Sequence, residues 1–353
     1  MGDTLGRKIT LIVTLVIMGM ATFLVGLLPT YHQIGIFAPI LLIILRFLQG
    51  MTVAGEWSGA MILVVENAPP SYRGLLSALP QTGGFSGQLL AALSFSLVAL
   101  LPKQKLMTWG WRIPFLLSAL LIGIGVYIRV KLDKTAAFKA QQRLSCRVAR
   151  SPVIQVLKES WRRILLIMSL RFSESVPFFI TTVFTVSYAT RTLKVEKQAM
   201  LSIIMITCLI ALPMHGLFGL LSDKYGRRPL YLFGSLFVAL FAYPFFLLLD
   251  SGSLPLIAIG YIILINVGHN SINAVQPAFF NELFDTQVRF SGASIGHQLG
   301  AVVAGGCTPF IAEMLVTLGN NHWIFVCYYV IAAALLATVA AYFSPETSRK
   351  KLW

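Results

Sequence analysis

A charged side chain at the centre of a bilayer costs roughly 2.5 to 3.5 kcal/mol on insertion scales, so ionisable residues inside long apolar runs mark cavities, counter-charges or ion pathways. Four such residues stand out in this sequence. Arg46 and Glu56 share the apolar run 36–65, and Arg171 and Glu174 share the run 164–188. A guanidinium keeps its charge at every working pH, so Arg46 cannot carry a proton but can hold an anionic group, with Gln49 at i+3 on the same helical face and Gly50 open to close backbone approach. It can equally be a cation snorkelling toward a membrane surface. Glu56 lies in the small-residue stretch "AGEWSGA", where a partly desolvated carboxyl can load and release a proton, or can stay paired with a cation on another helix. Arg171 and Glu174 stand three apart and can simply neutralise one another so that the helix inserts; alternatively, the arginine holds a substrate carboxylate and the glutamate a cationic or hydroxyl group.

Amides supply further polar chemistry. Asn266, Asn270 and Asn273 recur at i, i+4 and i+7 with His269 and Gln276 beside them, so one face of that helix can bind a polar metabolite or hydrogen-bond to its neighbours. His297 and Gln298 on the following run can join them. The five histidines are scattered without metal-ligand spacing, and the four cysteines show no CxxC pair, so the reading is no metal, no cofactor and no disulfide framework. Cys208, Cys307 and Cys327 fall inside apolar runs and Cys146 in a basic stretch; all four read as small packing residues. No HExxH, DxxD or P-loop pattern is present, and no catalytic set is assigned, so the chain reads as a non-enzyme.

The elements that position these residues follow from composition. The 353 residues are 57% hydrophobic and 12% charged with a mean hydropathy of +0.78, too apolar for a water-soluble domain. A helix crosses the hydrocarbon layer in about 20 residues. Ten runs qualify: 9–28, 36–65, 75–101, 113–130, 164–188, 199–221, 230–249, 254–280, 292–315 and 323–343, with kinks or breaks expected at the glycines of 82–87 and at Pro309. The net charge of +15 raises the question of nucleic acid, and the placement of the cations answers it. With residues 1–8 taken as cytoplasmic, about 20 of the 28 Lys and Arg fall inside; Lys103, Lys105, Arg112, Arg191, Lys194 and Lys197 fall outside, and Arg46 and Arg171 within runs. That is the positive-inside pattern of a multi-pass inner-membrane protein with both termini cytoplasmic. The basic stretch 131–163 then reads as a cytoplasmic linker beside anionic lipid, with the bilayer and no nucleic acid as surroundings. No cleavable signal peptide is visible.

One short pattern occurs twice. "GDTLGRK" at Gly2 to Lys8 aligns with "SDKYGRR" at Ser222 to Arg228, placing Asp3 on Asp223, Gly6 on Gly226 and Arg7 on Arg227, with Lys8 opposite Arg228. A second pair echoes in the same order: Glu66 and Arg73 stand seven apart, as do Glu282 and Arg289. Two markers in the same order indicate duplicated halves. The glycine supplies a left-handed turn between closely spaced helices, and the acid and cations can pair across helix ends, holding one face shut; they can also be topology signals alone.

These motifs, with "LRFLQGMTVAGEWSGA" (45–60), "WGWRIPFLLSA" (109–119), "SDKYGRRP" (222–229) and "NELFDTQVRFSGASIGHQLGAV" (281–302), resemble the major facilitator superfamily over essentially the whole chain, and within it the metabolite:proton symporters, a group that includes proline/betaine, oxoglutarate and shikimate permeases. "DKTAAF" at 133–138 departs from that group's acid-Thr-Pro-x-Phe pattern by lacking the proline. The resemblance implies an all-α polytopic membrane protein, with a four-helix N-terminal bundle over 1–130, the linker 131–163 and a six-helix bundle over 164–353. It also implies that the family's first two transmembrane helices are missing ahead of Met1, through a start called too far downstream or a decayed gene. Arg46 and Gln49 match the family's R-x-x-Q-G signature linked to proton coupling. The run 164–188 corresponds to the cavity-lining first helix of the second half. The implied function is proton-coupled symport of a small polar metabolite by alternating access in a monomeric secondary carrier, with Gly2, Asp3, Gly6, Arg7, Lys8, Glu66, Arg73, Asp223, Gly226, Arg227, Arg228, Glu282 and Arg289 at a cytoplasmic gate; an inactive remnant of such a carrier is the alternative, and a membrane-embedded enzyme a more distant one.

Overall fold

In the bilayer core no water is available to a bare N–H or C=O, so a chain this apolar satisfies its backbone within helices. The computed structural model describes residues 7–131, 158–285 and 288–348, and every regular element among them is helical. The long helices are α1 (Arg7–Leu27), α2 (Phe37–Asn67), α3 (Thr82–Ala99), α4 (Ser118–Lys131), α5 (Trp161–Arg191), α6 (Lys197–Tyr225), α7 (Arg227–Asp250), α8 (Leu254–Glu282), α9 (Ser291–Leu318) and α10 (Ile324–Phe343). Of the ten predicted runs, eight coincide with helical segments long and apolar enough to cross a membrane, counting Gly110–Ile128, which runs into α4. The other two are helical but shorter. The apolar part of α1 is Leu11–Leu27, and the third run is divided into the short helix Arg73–Ala78, a 3-10 turn at Leu79–Gln81 and α3. The glycines of 82–87 lie within the start of α3 and do not break it, whereas Pro309 follows a π-helical turn, Ala301–Gly306, that interrupts α9. Two more π turns interrupt α5 at Ile180–Phe184, just after Pro177, and α8 at Leu264–His269.

The chain divides into two compact units, one of residues 1–60 with 90–152, the other of 61–89 with 153–353. In the first, α1 packs on the segment leading into and through α4, and glycine makes the approach possible. A Cβ on Gly19 would fall 2.1 Å from Ile122 Cγ1, and one on Gly125 would fall 2.9 Å from Leu15 Cδ2. α2 is apolar and exposed at Ile40, Ile43, Phe47 and Met51, surface suited to lipid.

The second unit has a core of large and small side chains in contact. α7 buries Tyr231, Phe245 and Phe246; α10 offers Ala333, Ala334, Ala337 and Ala341; and α8 contributes Ile272, Phe279 and Phe280. Gly234 on α7 has room only for hydrogen, since a Cβ there would meet Ser271 Oγ at 2.2 Å. Large apolar residues on the opposite faces, Leu240, Phe310 and Phe343 among them, stay exposed.

Candidate functional site

Two polar assemblies lie inside the second unit. The first gathers the duplicated motif residues at one end of α6, α7 and α8. Gly226 ends α6 and begins α7 with φ 105°, a left-handed backbone that favours glycine, and a Cβ there would come within 2.7 Å of Glu346 Oε2. Arg227, the first residue of α7, is fully buried. Its Nη1 donates to Asp223 Oδ1 (2.8 Å) and Ser222 Oγ (2.7 Å), and its Nε to Glu282 Oε2 (3.4 Å). Asp223 also accepts from the backbone amides of Gly74 (2.7 Å) and Leu75 (2.9 Å), which open the short helix Arg73–Ala78, so one carboxylate caps a helix and neutralises a guanidinium.

The two acid–arginine pairs cross over. Arg73 Nη1 reaches Glu282 Oε1 at 3.3 Å, and Arg289 Nη1 reaches Glu66 Oε1 at 3.2 Å, so each arginine meets the acid of the other copy. Three buried guanidiniums (Arg73, Arg227, Arg289) thus face three carboxylates (Glu66, Asp223, Glu282). Such burial is tolerated only when charge and hydrogen bonds are balanced in this way. Arg228 leans on the ring of Tyr342, 5.3 Å from its centroid.

Sequence reasoning missed Glu346 and Thr347 in this assembly. Glu346 accepts from the amides of Arg227 (2.9 Å) and Arg228 (3.0 Å), capping α7, and from those of Thr347 and Ser348 (both 2.9 Å). Burial pushes its carboxyl up, and the amide donors of Ser348, Arg227 and Arg228 more than offset this, leaving its pKa below the ordinary 4.5. Thr347 Oγ1 donates to Glu282 Oε2 at 2.7 Å. An acid just beyond the last apolar run, followed by Thr and Ser, was the available signal. Gly2, Asp3 and Gly6 lie outside the described residues, and Arg7 and Lys8 enter only as the first residues of α1.

The second assembly joins α5, α6, α7 and α8. Arg171 and Glu174 on α5 form the i,i+3 ion pair, both buried, and Arg171 Nη1 also donates to Gln276 Oε1 on α8 (2.9 Å). Gln276 Nε2 donates to the hydroxyl of Tyr231 (3.2 Å), which donates to the Leu170 carbonyl (2.8 Å). The Glu174 carboxylate accepts from Ser175 Oγ (2.9 Å) and Asn273 Nδ2 (3.3 Å), and His269 Nε2 lies 3.4 Å from its Oε1. Asn273 Oδ1 accepts from Gln81 Nε2 (2.7 Å) and faces His215 Nε2 (3.4 Å). Phe85 and Phe178 press against the two histidine rings, with centroids 5.2 Å (Phe85–His215) and 5.4 Å (Phe178–His269) apart. Beside these rings is a narrow, half-open cleft of only about 10 Å³, bordered by Gln88, Thr181, Thr182, Thr207, Cys208 and Tyr261.

Five of the predicted polar residues, Arg171, Glu174, Asn270, Asn273 and Gln276, are therefore gathered in or beside one network, together with His269, which the sequence set on the same polar face, and with His215, Gln81 and Tyr231, which it did not assign to the site. A lone polar side chain in an apolar run was the signal for His215. Gln298 is half-buried on α9 and lies 3.4 Å from His297 Nδ1, outside this set of hydrogen bonds. Arg46, Gln49 and Glu56 belong to the first unit: Arg46 Nη1 donates to Gln49 Oε1 (3.2 Å), Gln49 Nε2 to Thr22 Oγ1 on α1 (2.6 Å), and Glu56 is half-buried on α2. The stretch Gly292–Gly296 spells GxSxG, which sequence inspection passed over; Ser294 lies within the helix Arg289–Gly300, with no strand-to-helix turn to present a nucleophile. Among the described residues no group of His, Cys, Asp and Glu is arranged to hold a metal ion.

Comparison with known proteins gives a consistent result. The family model described as Major Facilitator Superfamily matches residues 1–305. The chain is 37% identical to the shikimate transporter of Escherichia coli K12 over 99% of its own length and 80% of that protein's, and 32% identical to the proline/betaine transporter of the same strain, over 100% and 72%. Its fold is similar to a solved structure of the proton:xylose symporter XylE bound to 6-bromo-6-deoxy-D-glucose, with a TM-score of 0.72 at 17% identity, covering 98% of this chain and 82% of that one. The matching helices, the duplicated charge motifs, the family match and relatedness along the whole of this chain lead to one statement: this chain belongs to the Major Facilitator Superfamily.

Proposed function

We propose that this membrane carrier moves a small polar organic metabolite together with a proton, by alternating access, and that a hydroxylated carboxylate of the shikimate class is the first substrate to test. The observation that supports this reading is the buried network of Arg171, Glu174, His269, Asn273 and Gln276: ionisable and amide groups kept deep among apolar helices at a desolvation cost, beside a cleft fringed with threonine hydroxyls and aromatic rings. The buried ionisable and amide groups suit a polar organic solute, and a proton-accepting group among them suits coupling. The relatedness to a shikimate transporter supports the substrate class.

In this reading the crossed arginine–carboxylate assembly is a gate on the cytoplasmic side, in keeping with the excess of Lys and Arg assigned there. Its charges balance only while Arg73, Arg227, Arg289 and their acids are together, so opening would cost the ion pairs at once. The protein works as a monomer in the inner membrane with both termini cytoplasmic.

The test is uptake of labelled shikimate, with proline and glycine betaine as comparison, into proteoliposomes holding the full chain. Accumulation driven by an acid-outside gradient and abolished by a protonophore is expected. Uptake indifferent to the gradient would refute proton coupling, and uptake of betaine alone would refute the substrate class.

A further inference from the structure

His269 ends the π-helical turn Leu264–His269 of α8 and is 1% exposed. Its Nδ1 lies 3.2 Å from Asn270 Oδ1 and its Nε2 3.4 Å from Glu174 Oε1. The orientation of each amide along this face follows from one fixed end. The backbone carbonyl of Thr207 can only accept, so the Asn266 atom 3.4 Å from it is the amide nitrogen. Asn266 then presents its oxygen to Asn270, whose Nδ2 donates across 3.0 Å, and Asn270 presents its own oxygen to His269. An oxygen there requires the hydrogen to be on Nδ1.

A neutral imidazole has only one N–H, so Nε2 is left as a lone pair aimed at a carboxylate. Glu174 is held to that role from its other side. Its Oε2 takes Arg171 and Ser175, and its Oε1 takes Asn273 Nδ2 at 3.3 Å. Two acceptors, both buried, therefore face each other across 3.4 Å, an arrangement that one added proton turns into a hydrogen bond.

We infer that His269 Nε2 and Glu174 Oε1 form a single-proton binding site, with Asn266 and Asn270 as positioning residues that hold the ring in its Nδ1–H form. Its use in transport rests on the symport reading above; the site itself rests on the amide chain. The proton arrives from solvent, forms the Nε2–H bond and leaves to the opposite side, and no other covalent bond changes. The charged and titratable groups facing the pair are Arg171 on α5, His215 on α6, Tyr231 on α7 and His297 on α9. Because Arg171 already cancels Glu174, loading adds one net positive charge, and the loaded site attracts an anionic solute that the empty site releases.

The test uses the full chain, labelled with 15N-histidine, in lipid nanodiscs, with the spectrum of His269→Gln subtracted to assign the ring. As the medium is taken from alkaline to acid, Nδ1 of His269 is expected to keep its proton throughout while Nε2 changes from unprotonated to protonated. An Nε2–H tautomer at the alkaline end, or an unchanged Nε2 across the range, overturns the site. Asn270→Leu is expected to release the tautomer, so that Nε2–H appears at the alkaline end; an unaltered tautomer overturns the positioning role.

Shikimate uptake driven by an acid-outside jump is the second arm. His269→Gln and Glu174→Gln are expected to lose accumulation at least about tenfold, the equivalent of 1.4 kcal/mol in coupling. Wild-type accumulation persisting in His269→Gln overturns the coupling role and leaves the symport reading standing. A ring that titrates as expected in a wild type whose uptake ignores the gradient overturns symport and the coupling role together, and leaves the proton site standing.

Discussion

Glu282 serves two arginines at once. Its Oε1 meets Arg73 and its Oε2 meets Arg227 and Thr347, with no side-chain exposure. Removing the charge from that carboxylate leaves a surplus of buried positive charge, a change that typically costs 3–5 kcal/mol, about the scale of a whole domain's margin. Glu282→Gln should therefore melt markedly earlier than wild type in detergent, and an unchanged melting temperature would contradict the interlock. Glu346 makes a pH-dependent contribution of definite sign. Its folded-state pKa is depressed below the ordinary 4.5, so its stabilising effect is fully present above that value and is lost as pH falls through the lower folded value. Wild type and Glu346→Gln should differ in thermal stability at neutral pH and converge as the medium is acidified below about 4.5, measured by melting curves across that range. Parallel curves at all pH values would remove the carboxylate from the account.

At the scale of elements, the contact between α6 and the short helix Arg73–Ala78 depends on the absence of side chains. A Cβ on Gly219 would lie 2.8 Å from Leu75 Cα and 3.0 Å from the Gly74 carbonyl oxygen, and one on Gly74 would lie 2.3 Å from Ser222 Oγ. This closeness lets Asp223 accept from both the Gly74 and Leu75 amides. Gly219→Val should force the short helix away, costing about 1–3 kcal/mol by overpacking and breaking that cap, so that the protein inserts but is less stable and transports poorly. Melting curves and proteoliposome uptake test this together; full uptake with normal stability would mean the helices separate without consequence. The π turns belong to this scale too. The turn Leu264–His269 shifts the register of α8, so the polar spacing of Asn266, Asn270 and Asn273 does not continue a plain α-helical stripe, although all three meet polar atoms.

For the molecule as a whole, lipid is the solvent that its outward side chains require. Leu240, Phe310 and Phe343 are 70%, 76% and 77% exposed, and the flank of α2 is similarly bare, surface that water would penalise by about 25 cal/mol per Å². The full chain should remain in the membrane pellet through alkaline carbonate and high-salt washes and leave it only in detergent; release by salt would mean surface attachment. Length and apolarity determined the helices, because a span needs only about 20 residues of low polarity, a property of neighbouring residues that a sequence displays directly. The Arg171–Glu174 pair was legible for the same reason, being three residues apart on one helix. The doubled motif was legible as a repeat. Its pairing was not: Arg73 meets Glu282 across 209 positions and Arg289 meets Glu66 across 223, the acids exchanged between copies. Hydrogen bonds form or fail within a few tenths of an ångström, and that distance is set by how helices far apart in sequence pack on one another. Only the tertiary structure could decide that Glu346 caps α7, or that a chain of amides turns His269 toward Glu174.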